Sequence, residues 1–549
     1  MHDITLESFM DSMRNEDVEV RMEGLTYLSI LLTGLDMKTV KDIIVNLEHS
    51  LFEEDELDLF ATDQLPLFTQ LLGKSDIECL YPLFNMLLGA PEVGIREKAM
   101  TCFAEVINIY PNNDYLAYLK KLCGVSIYGK ISAAKLVPLL PASEMVYDVI
   151  RDLTKEEFPP VRKAVASSID KVENIPQDII DTLFVDEIDS VRVALSNTLP
   201  VLCKNPEYIH YFKTLAKDTC WRVRYVCAMN IGKCCDAIPG DVLSRDIQDV
   251  AIALLNDTEA RVRALAVAHL ADITKKIPPE SIITDILPLA EKLSEDTVVD
   301  VRASLASSIT QLAPQVGKAN SQKYLFRIIE TCLNDEDTEV QLRIITTLDY
   351  LNHVMVLSQL SQKVLATVMK LVNDQSWRCR LQTIELIPEL IMQLTECNFE
   401  LVKICVSVLT DKVYAIRVKA IENIKKLVTL CGIDWVKSKI LPSVIALANA
   451  PFYLHRIICM NCLTQIINSL STETITTIII PLTNKLLSDP VPNVRFNAIR
   501  TFTIILPLVT PNIIQTRIKP ALMACKSDKD PDVLTHLGKA LESVNQFLC

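Results

Sequence analysis

One turn, repeated along the chain, constrains what this sequence can fold into. In its clearest copy, residues 486–506 read LLSDPVPNVRFNAIRTFTIIL. An acid and a proline, Asp489 and Pro490, precede the pair Val494-Arg495 and then apolar residues at helical spacing, Ala498, Phe502 and Ile505. Aspartate is a good N-cap because its carboxylate accepts the free N–H groups of a first helical turn. Proline suits the next position, where no intrahelical bond is lost. The stretch predicts a helix ending near Leu487 and a second one starting at Pro490.

The Val-Arg mark recurs at Arg21, Arg96, Arg162, Arg192, Arg224, Arg263, Arg302, Arg343, Arg380, Arg417, Arg456 and Arg495. From Arg224 onward the spacings are 39, 39, 41, 37, 37, 39 and 39, and earlier they shorten to 30–34. Phe60, Lys130 and Thr535 hold equivalent places without the arginine, which brings the count to fifteen repeats. A second mark agrees in phase. Pro82, Pro288, Pro442 and Pro481 each stand 14 residues before their arginine, and Pro520 stands 15 before Thr535. These prolines read as the first residues of a helix A, and the 3- and 4-residue apolar spacing after each arginine reads as a helix B. One helical hairpin cannot bury both of its faces, so neighbours must stack into a continuous core. The expected fold is all-α, a single solenoid (superhelix) over residues 1–549, with shorter helices where the spacing contracts.

Composition fits that reading. Half the residues are hydrophobic, and glycine is scarce, 12 in 549, against a usual ~7%. The net charge of −14 argues against a general nucleic-acid binder, which needs clustered Lys and Arg. Residues 440–549 nevertheless hold nine Lys/Arg against six Asp/Glu, a net +3 that leaves −17 for the rest. The 17 cysteines are scattered over apolar faces, as in a protein of a reducing cytoplasm or nucleus. The N-terminus lacks a signal-peptide pattern, and the longest uncharged run, Thr501 to Thr516, is broken by Pro507 and Pro511, so neither secretion nor a membrane span is expected.

No catalytic or metal-binding constellation emerges. The seven histidines are isolated, no phosphate-cradling glycine loop occurs, and Cys459 and Cys462 form a lone C-x-x-C within a predicted helix B. No enzyme activity and no cofactor are expected. What remains is the row of turns. Their acids and arginines suggest a ladder that fixes register between layers, with Asp189 near Arg192, Asp257 near Arg263 and Asp300 near Arg302. Residues just before the marked arginine are better placed for partners. DTCWRVR (218–224) and DQSWRCR (374–380) each put a tryptophan and an extra arginine at the tip, the chemistry of a binding hot spot. Tyr414 and Tyr453 occupy similar tips, whereas Trp435 falls in a link and reads as core.

These turn sequences resemble the HEAT-repeat scaffold (A) subunits of protein phosphatase 2A. The segments that carry the resemblance are DSVRVALSN (189–197), DTCWRVRYV (218–226), VRASLASSITQLAPQVGK (301–318), LSQLSQ (357–362), SWRCRLQTIELIPEL (376–390), DKVYAIR (411–417), FYLHR (452–456) and DPVPNVRFNA (489–498). The resemblance implies a horseshoe of about fifteen HEAT repeats. It implies a non-catalytic scaffold that joins a serine/threonine phosphatase catalytic subunit to an exchangeable regulatory B-type subunit in a heterodimer or heterotrimer. By the same resemblance the C-terminal part, about 365–549, grips the catalytic subunit through Trp377, Arg378, Tyr414, Tyr453 and Asn493. The N-terminal part, about 1–270, receives the regulatory subunit through Pro159, Arg162, Lys163, Asp189, Trp221 and Arg222. EEFPPVRK (156–163) and SIYGK (126–130) depart from the family pattern. The alternative is a karyopherin-like transport receptor, also an acidic helical solenoid.

Overall fold

The computed structural model describes residues 5–32, 35–51, 53–111, 114–239, 245–351, 360–394 and 398–548. Residues 357–359 of the LSQLSQ segment lie outside them. All regular elements among the described residues are helices, arranged as successive A–B hairpins. The chain forms two compact units, Met1–Ile277 and Pro278–Cys549.

Within each unit the B helices pack side by side. In the first, Pro159–Ala166, Asp189–Leu202, Trp221–Ala237 and Ala260–Ala268 follow one another in contact. In the second the succession is Val299–Ser308, Thr338–Thr346, Trp377–Gln393, Tyr414–Cys431, Tyr453–Ile466, Pro492–Ile505 and Pro531–Leu548. Each buries a stripe such as Ile416, Ala420, Ile424 and Leu427, or Val494, Ala498, Phe502 and Ile505. Side chains three and four apart share a helix face, so this spacing places the stripe on the stacked side.

Helix A differs from its sequence reading. Pro82 stands at the start of Tyr81–Leu88, as expected, but the other prolines taken as first residues lie within longer helical runs. Pro288, Pro481 and Pro520 follow π-helical turns at Ile282–Ile286, Ile475–Ile479 and Ile514–Ile518, and the helical runs open earlier, at Pro279, Thr472 and Pro511. Proline lacks an N–H and its ring clashes with the carbonyl four residues back; a wider turn just before it relieves both. Pro442 sits at a similar break between Ile433–Lys439 and Leu441–Ala446. Trp435 belongs to the first of these helices and is half-buried, so it is neither in a link nor fully core. In the contracted repeats helix A lacks the π-helical turn: Gln177–Phe184 is a single short helix, and Ile209–Leu215 follows only a 3-10 turn at Pro206–Tyr208.

The marked turn also resolves differently. The helix after Asp489 starts at Pro492, with Val491 as N-cap. Asp489 instead accepts the Val491 N–H at 2.9 Å from two residues upstream, an Asx turn rather than a helix cap.

A candidate docking ridge on a ladder of ion pairs

The same Asx turn recurs, with a side-chain oxygen of Asp186, Asp218, Asp257, Asp296, Asp335, Asp374, Asp411 and Asp528 accepting the N–H two residues on. Six residues after this turn position, except at Asp335 and Asp528, comes the marked arginine, whose Nη1 donates to the carbonyl of that position, as in Arg192 to Asp186 and, where alanine replaces the aspartate, Arg456 to Ala450. Its Nε and Nη2 reach forward to the carboxylate of the next turn. Such bidentate pairs include Arg162–Asp186, Arg192–Asp218, Arg224–Asp257, Arg302–Asp335, Arg380–Asp411, Arg456–Asp489 and Arg495–Asp528. Their N–O distances run from 2.6 to 3.1 Å. In SIYGK, Lys130 takes the arginine's place and pairs with Glu156 at 2.7 Å.

The ladder exists, but not with the predicted partners. Asp189 does not pair with Arg192; it accepts a hydrogen bond from the Cys220 thiol at 3.2 Å. Arg263 meets Asp257 through that residue's carbonyl, whereas the Asp257 carboxylate serves Arg224. Arg302 pairs with Asp335 rather than Asp300. The reason is reach. An acid within three residues of the arginine lies on the same first turn, while the extended guanidinium spans to the neighbouring layer.

One anchor also moves. Gln341, not Arg343, occupies the rung: its Nε2 donates to the carbonyls of Leu333 and Asp335, while Arg343 lies on the surface beside Glu339. The spacing around it then becomes 39 and 39, in place of 41 and 37. Glutamine holds the carbonyls of its own turn but has no second edge for the next carboxylate, and among the described residues no arginine pairs with Asp374. Gln341→Arg should complete that rung and raise stability, on the order of 1 kcal/mol for a partly buried bidentate pair. A urea-unfolding midpoint that stays put or falls would count against it.

The carboxylates are tuned by this geometry. Burial alone would raise Asp218, Asp411 and Asp489, but hydrogen bonds from the preceding arginine and from the turn N–H hold each below its ordinary value. For Asp528 the hydrogen bond from Arg495 is the main cause of the same lowering. A carboxylate lowered in the folded state stabilises the fold above its unfolded value, about 3.9, and that contribution is lost as pH falls through the folded values. The urea midpoint should therefore hold from pH 7 to about 5 and drop steeply below about 4. Constancy down to pH 2.5 would refute a stabilising ladder.

With the arginine held inward, the first residues of helix B face outward. Trp377, Tyr414 and Tyr453 each occupy the first position of successive B helices, Arg378 and Asn493 the second. Trp377 is 37% exposed and Tyr414 73%; Arg378 and Asn493 are exposed and Tyr453 is half-buried. Arg378 lies over the Trp377 ring at 4.8 Å, a cation–π pair presented at the surface. In the first unit Pro159, Asp189 and Trp221 hold the same first position, with Arg222 over the Trp221 ring at 5.0 Å and Tyr225 edge-on to it. Lys163 and Arg222 are exposed.

Arg162 is different. It is buried, pairs with Asp186 and donates to the carbonyls of Glu156 and Glu157, so it is a rung and not an outward contact residue. Two aromatics escaped the sequence reading: Phe158, 48% exposed, and Phe452, 51% exposed, at N-cap positions. The usual N-cap signal is a polar residue. Here the upstream turn already fixes the helix entry, which frees the cap side chain to face solvent; an apolar residue two after the turn position would have revealed both.

Cys459 and Cys462 are buried in the Tyr453–Ile466 helix, where burial raises both thiols, Cys459 to about 12. Among the described residues no group of three or more His, Cys, Asp or Glu could hold a metal ion, and no helix is long and apolar enough to cross a membrane.

Two family models match, one described as PPP2R1A-like HEAT repeat over residues 240–317 and one as PIK3R4-like, middle domain, over 446–546. Among curated proteins, a probable serine/threonine-protein phosphatase PP2A regulatory subunit of Caenorhabditis elegans is 30% identical over 207 residues, 34% of this chain and 35% of that protein. The beta isoform of the 65 kDa regulatory A subunit of serine/threonine-protein phosphatase 2A from Homo sapiens is 32% identical over 173 residues, 29% of each chain. The PP2A regulatory A subunit of Schizosaccharomyces pombe is 28% identical over 274 residues, 43% of this chain and 45% of that protein. Each match thus spans less than half of the relative's length. Solved karyopherins share the architecture. Kap121p bound to the SUMO protease Ulp1p superposes with a TM-score of 0.56 at 14% identity, covering 99% of this chain and 64% of that one. Kap95p in complex with RanGDP gives 0.52 at 12%, covering 100% and 83%. At such identity the likeness is one of fold. The all-helical repeats and the named relatives agree: the chain is an all-α solenoid of helical hairpins, similar over part of its length to HEAT repeats and to the regulatory A subunits of protein phosphatase 2A.

Proposed function

We propose that the chain is a non-catalytic scaffold that holds a protein phosphatase 2A catalytic subunit together with an exchangeable regulatory subunit. The observation that carries this reading is the repeated pairing of an aromatic with an exposed arginine at the start of a B helix, at Trp377-Arg378 and Trp221-Arg222. Tryptophan and arginine dominate binding hot spots because they combine large apolar area with directional polar contact. The C-terminal part, about 365–549, would take the catalytic subunit on Trp377, Arg378, Tyr414, Tyr453 and Asn493. The N-terminal part, about 1–270, would take the regulatory subunit on Pro159, Lys163, Trp221 and Arg222, with Asp189 at the same register. Such a scaffold acts on catalysis only through effective concentration, by tethering phosphatase and substrate-selecting subunit together. Cytoplasm and nucleus are the proposed compartments. The karyopherin fold likeness brings no partner with it. Affinity purification of the full chain from its own cells tests the proposal. A metallophosphatase catalytic subunit in near 1:1 amount is expected; its absence, or a GTP-bound small GTPase in its place, would overturn the reading.

A further inference from the structure

The ladder has an incomplete rung on the ridge. In Arg302–Asp335, Arg456–Asp489 and Arg495–Asp528 the arginine reaches an aspartate 33 residues on. The residue 33 after Arg417 is Ala450. The turn there keeps its path, since the Ala450 carbonyl still accepts Arg456 Nη1 at 2.8 Å; only the carboxylate is missing. Among the described residues Arg417 donates solely through Nη1, to the carbonyls of Asp411 and Lys412 at 2.8 and 2.9 Å. Its Nε and Nη2, which form the bidentate edge in every completed rung, have no acceptor. The N–H of Phe452, two residues after Ala450, likewise lacks the side-chain acceptor that Asp489 gives Val491.

Two facts set this rung apart. Arg96 also makes only carbonyl bonds, but it is 6% exposed and covered by the Tyr128 ring at 4.8 Å, so nothing from outside can reach it. Arg417 is half-exposed, lies 5.7 Å from the ring centre of Tyr414, and belongs to the same turn-to-turn step as Phe452. Tyr414, 73% exposed, and Phe452, 51% exposed, stand at the starts of the two B helices that this step joins.

We infer that an aspartate or glutamate side chain of the docked protein closes this rung, seating its carboxylate on Arg417 Nε and Nη2 beside the Phe452 N–H. A carboxylate is what the identical fork takes in the rungs from Arg162–Asp186 to Arg495–Asp528, bidentate and between flanking turns. The net +3 of residues 440–549, in a chain of −14, favours an acidic partner surface at this end. The inference rests on the docking reading above and adds the contact that fixes the partner's register.

The test uses the full-length chain and the purified catalytic subunit of the phosphatase. Ala450→Asp supplies the carboxylate from within, so it should raise the unfolding temperature yet weaken binding by about tenfold or more, because the fork is already filled. Arg417→Gln keeps the carbonyl bonds, as Gln341 does in its own rung, and removes the fork; it should weaken binding similarly with an unchanged unfolding temperature. Trp377→Ala with Arg378→Ala is the reference. If that pair weakens binding while both Ala450→Asp and Arg417→Gln bind like the parent, the inference is wrong and the docking reading stands. If none of the three weakens binding, the docking reading itself is wrong. Should Ala450→Asp not fold, Arg417→Gln alone decides.

Discussion

Asp335→Ala should destabilise the protein by about 3–5 kcal/mol, more than most single substitutions in this chain. The Arg302 and Asp335 side chains are 9% and 5% exposed. The aspartate accepts Arg302 Nε at 2.7 Å, Arg302 Nη2 at 3.0 Å and the Asp337 N–H at 2.9 Å. Removing it leaves a poorly hydrated guanidinium with only the Asp296 carbonyl at 2.8 Å and the solvent-exposed Glu336 carboxylate at 3.9 Å, and loosens the turn that opens the Thr338–Thr346 helix. The loss arises from the unpaired charge, not from the net value of the pair. Arg302→Met with Asp335→Leu removes both charges and should therefore cost markedly less than the single change. Urea unfolding of the two variants separates the effects. A double variant as damaged as the single, or a single variant within about 1 kcal/mol of the parent, would refute the argument. The Arg417–Ala450 step shows the converse. There the acid is absent, and the arginine is open enough for water to solvate it.

The repeat was legible because its marks are residue types that a helical hairpin needs at fixed places. The 39-residue spacing, the turn acids and the apolar stripes all predicted the stacked B helices correctly. Three details were not legible, each for a physical reason. Which aspartate pairs with which arginine depends on a reach across layers, and a linear spacing of three residues looked closer than one of 33. Gln341 escaped because it keeps only half of the arginine's function, and a nearby exposed Arg343 lay within two residues of the expected phase. The prolines misplaced the start of helix A, since a π-helical turn lets a helix run through a residue that ordinarily opens it. At the ridge, Trp377 and Tyr414 were identifiable from type and position, while Arg162 was not separable from them: whether an arginine in the turn points to the neighbouring layer or to solvent is decided by the next turn's acid, here Asp186.

Replacing Trp377 and Arg378 together with alanine should weaken binding of the catalytic subunit by about 30- to 1,000-fold, the range of a loss of roughly 2–4 kcal/mol at a hot spot. The indole starts the Trp377–Gln393 helix with part of its face in solvent, and the guanidinium lies over that face at 4.8 Å. Both present area to a partner with little further ordering, which limits the entropy lost on association. Neither is a rung. The helix is anchored instead by Arg380, through Asp411 and the carbonyls of Asp374 and Gln375, so the fold should survive the change. An unchanged unfolding midpoint is therefore part of the prediction, as is unchanged binding of regulatory subunits. Trp221→Ala with Arg222→Ala should do the reverse: a milder loss, about tenfold, confined to regulatory subunits. Tyr225 packs edge-on against Trp221 and holds it half-buried, so less of that indole is available to a partner. Titration of each purified partner against the two double variants gives a two-by-two pattern, and equal losses of both partners in either variant would defeat the assignment of one partner to each set of turns.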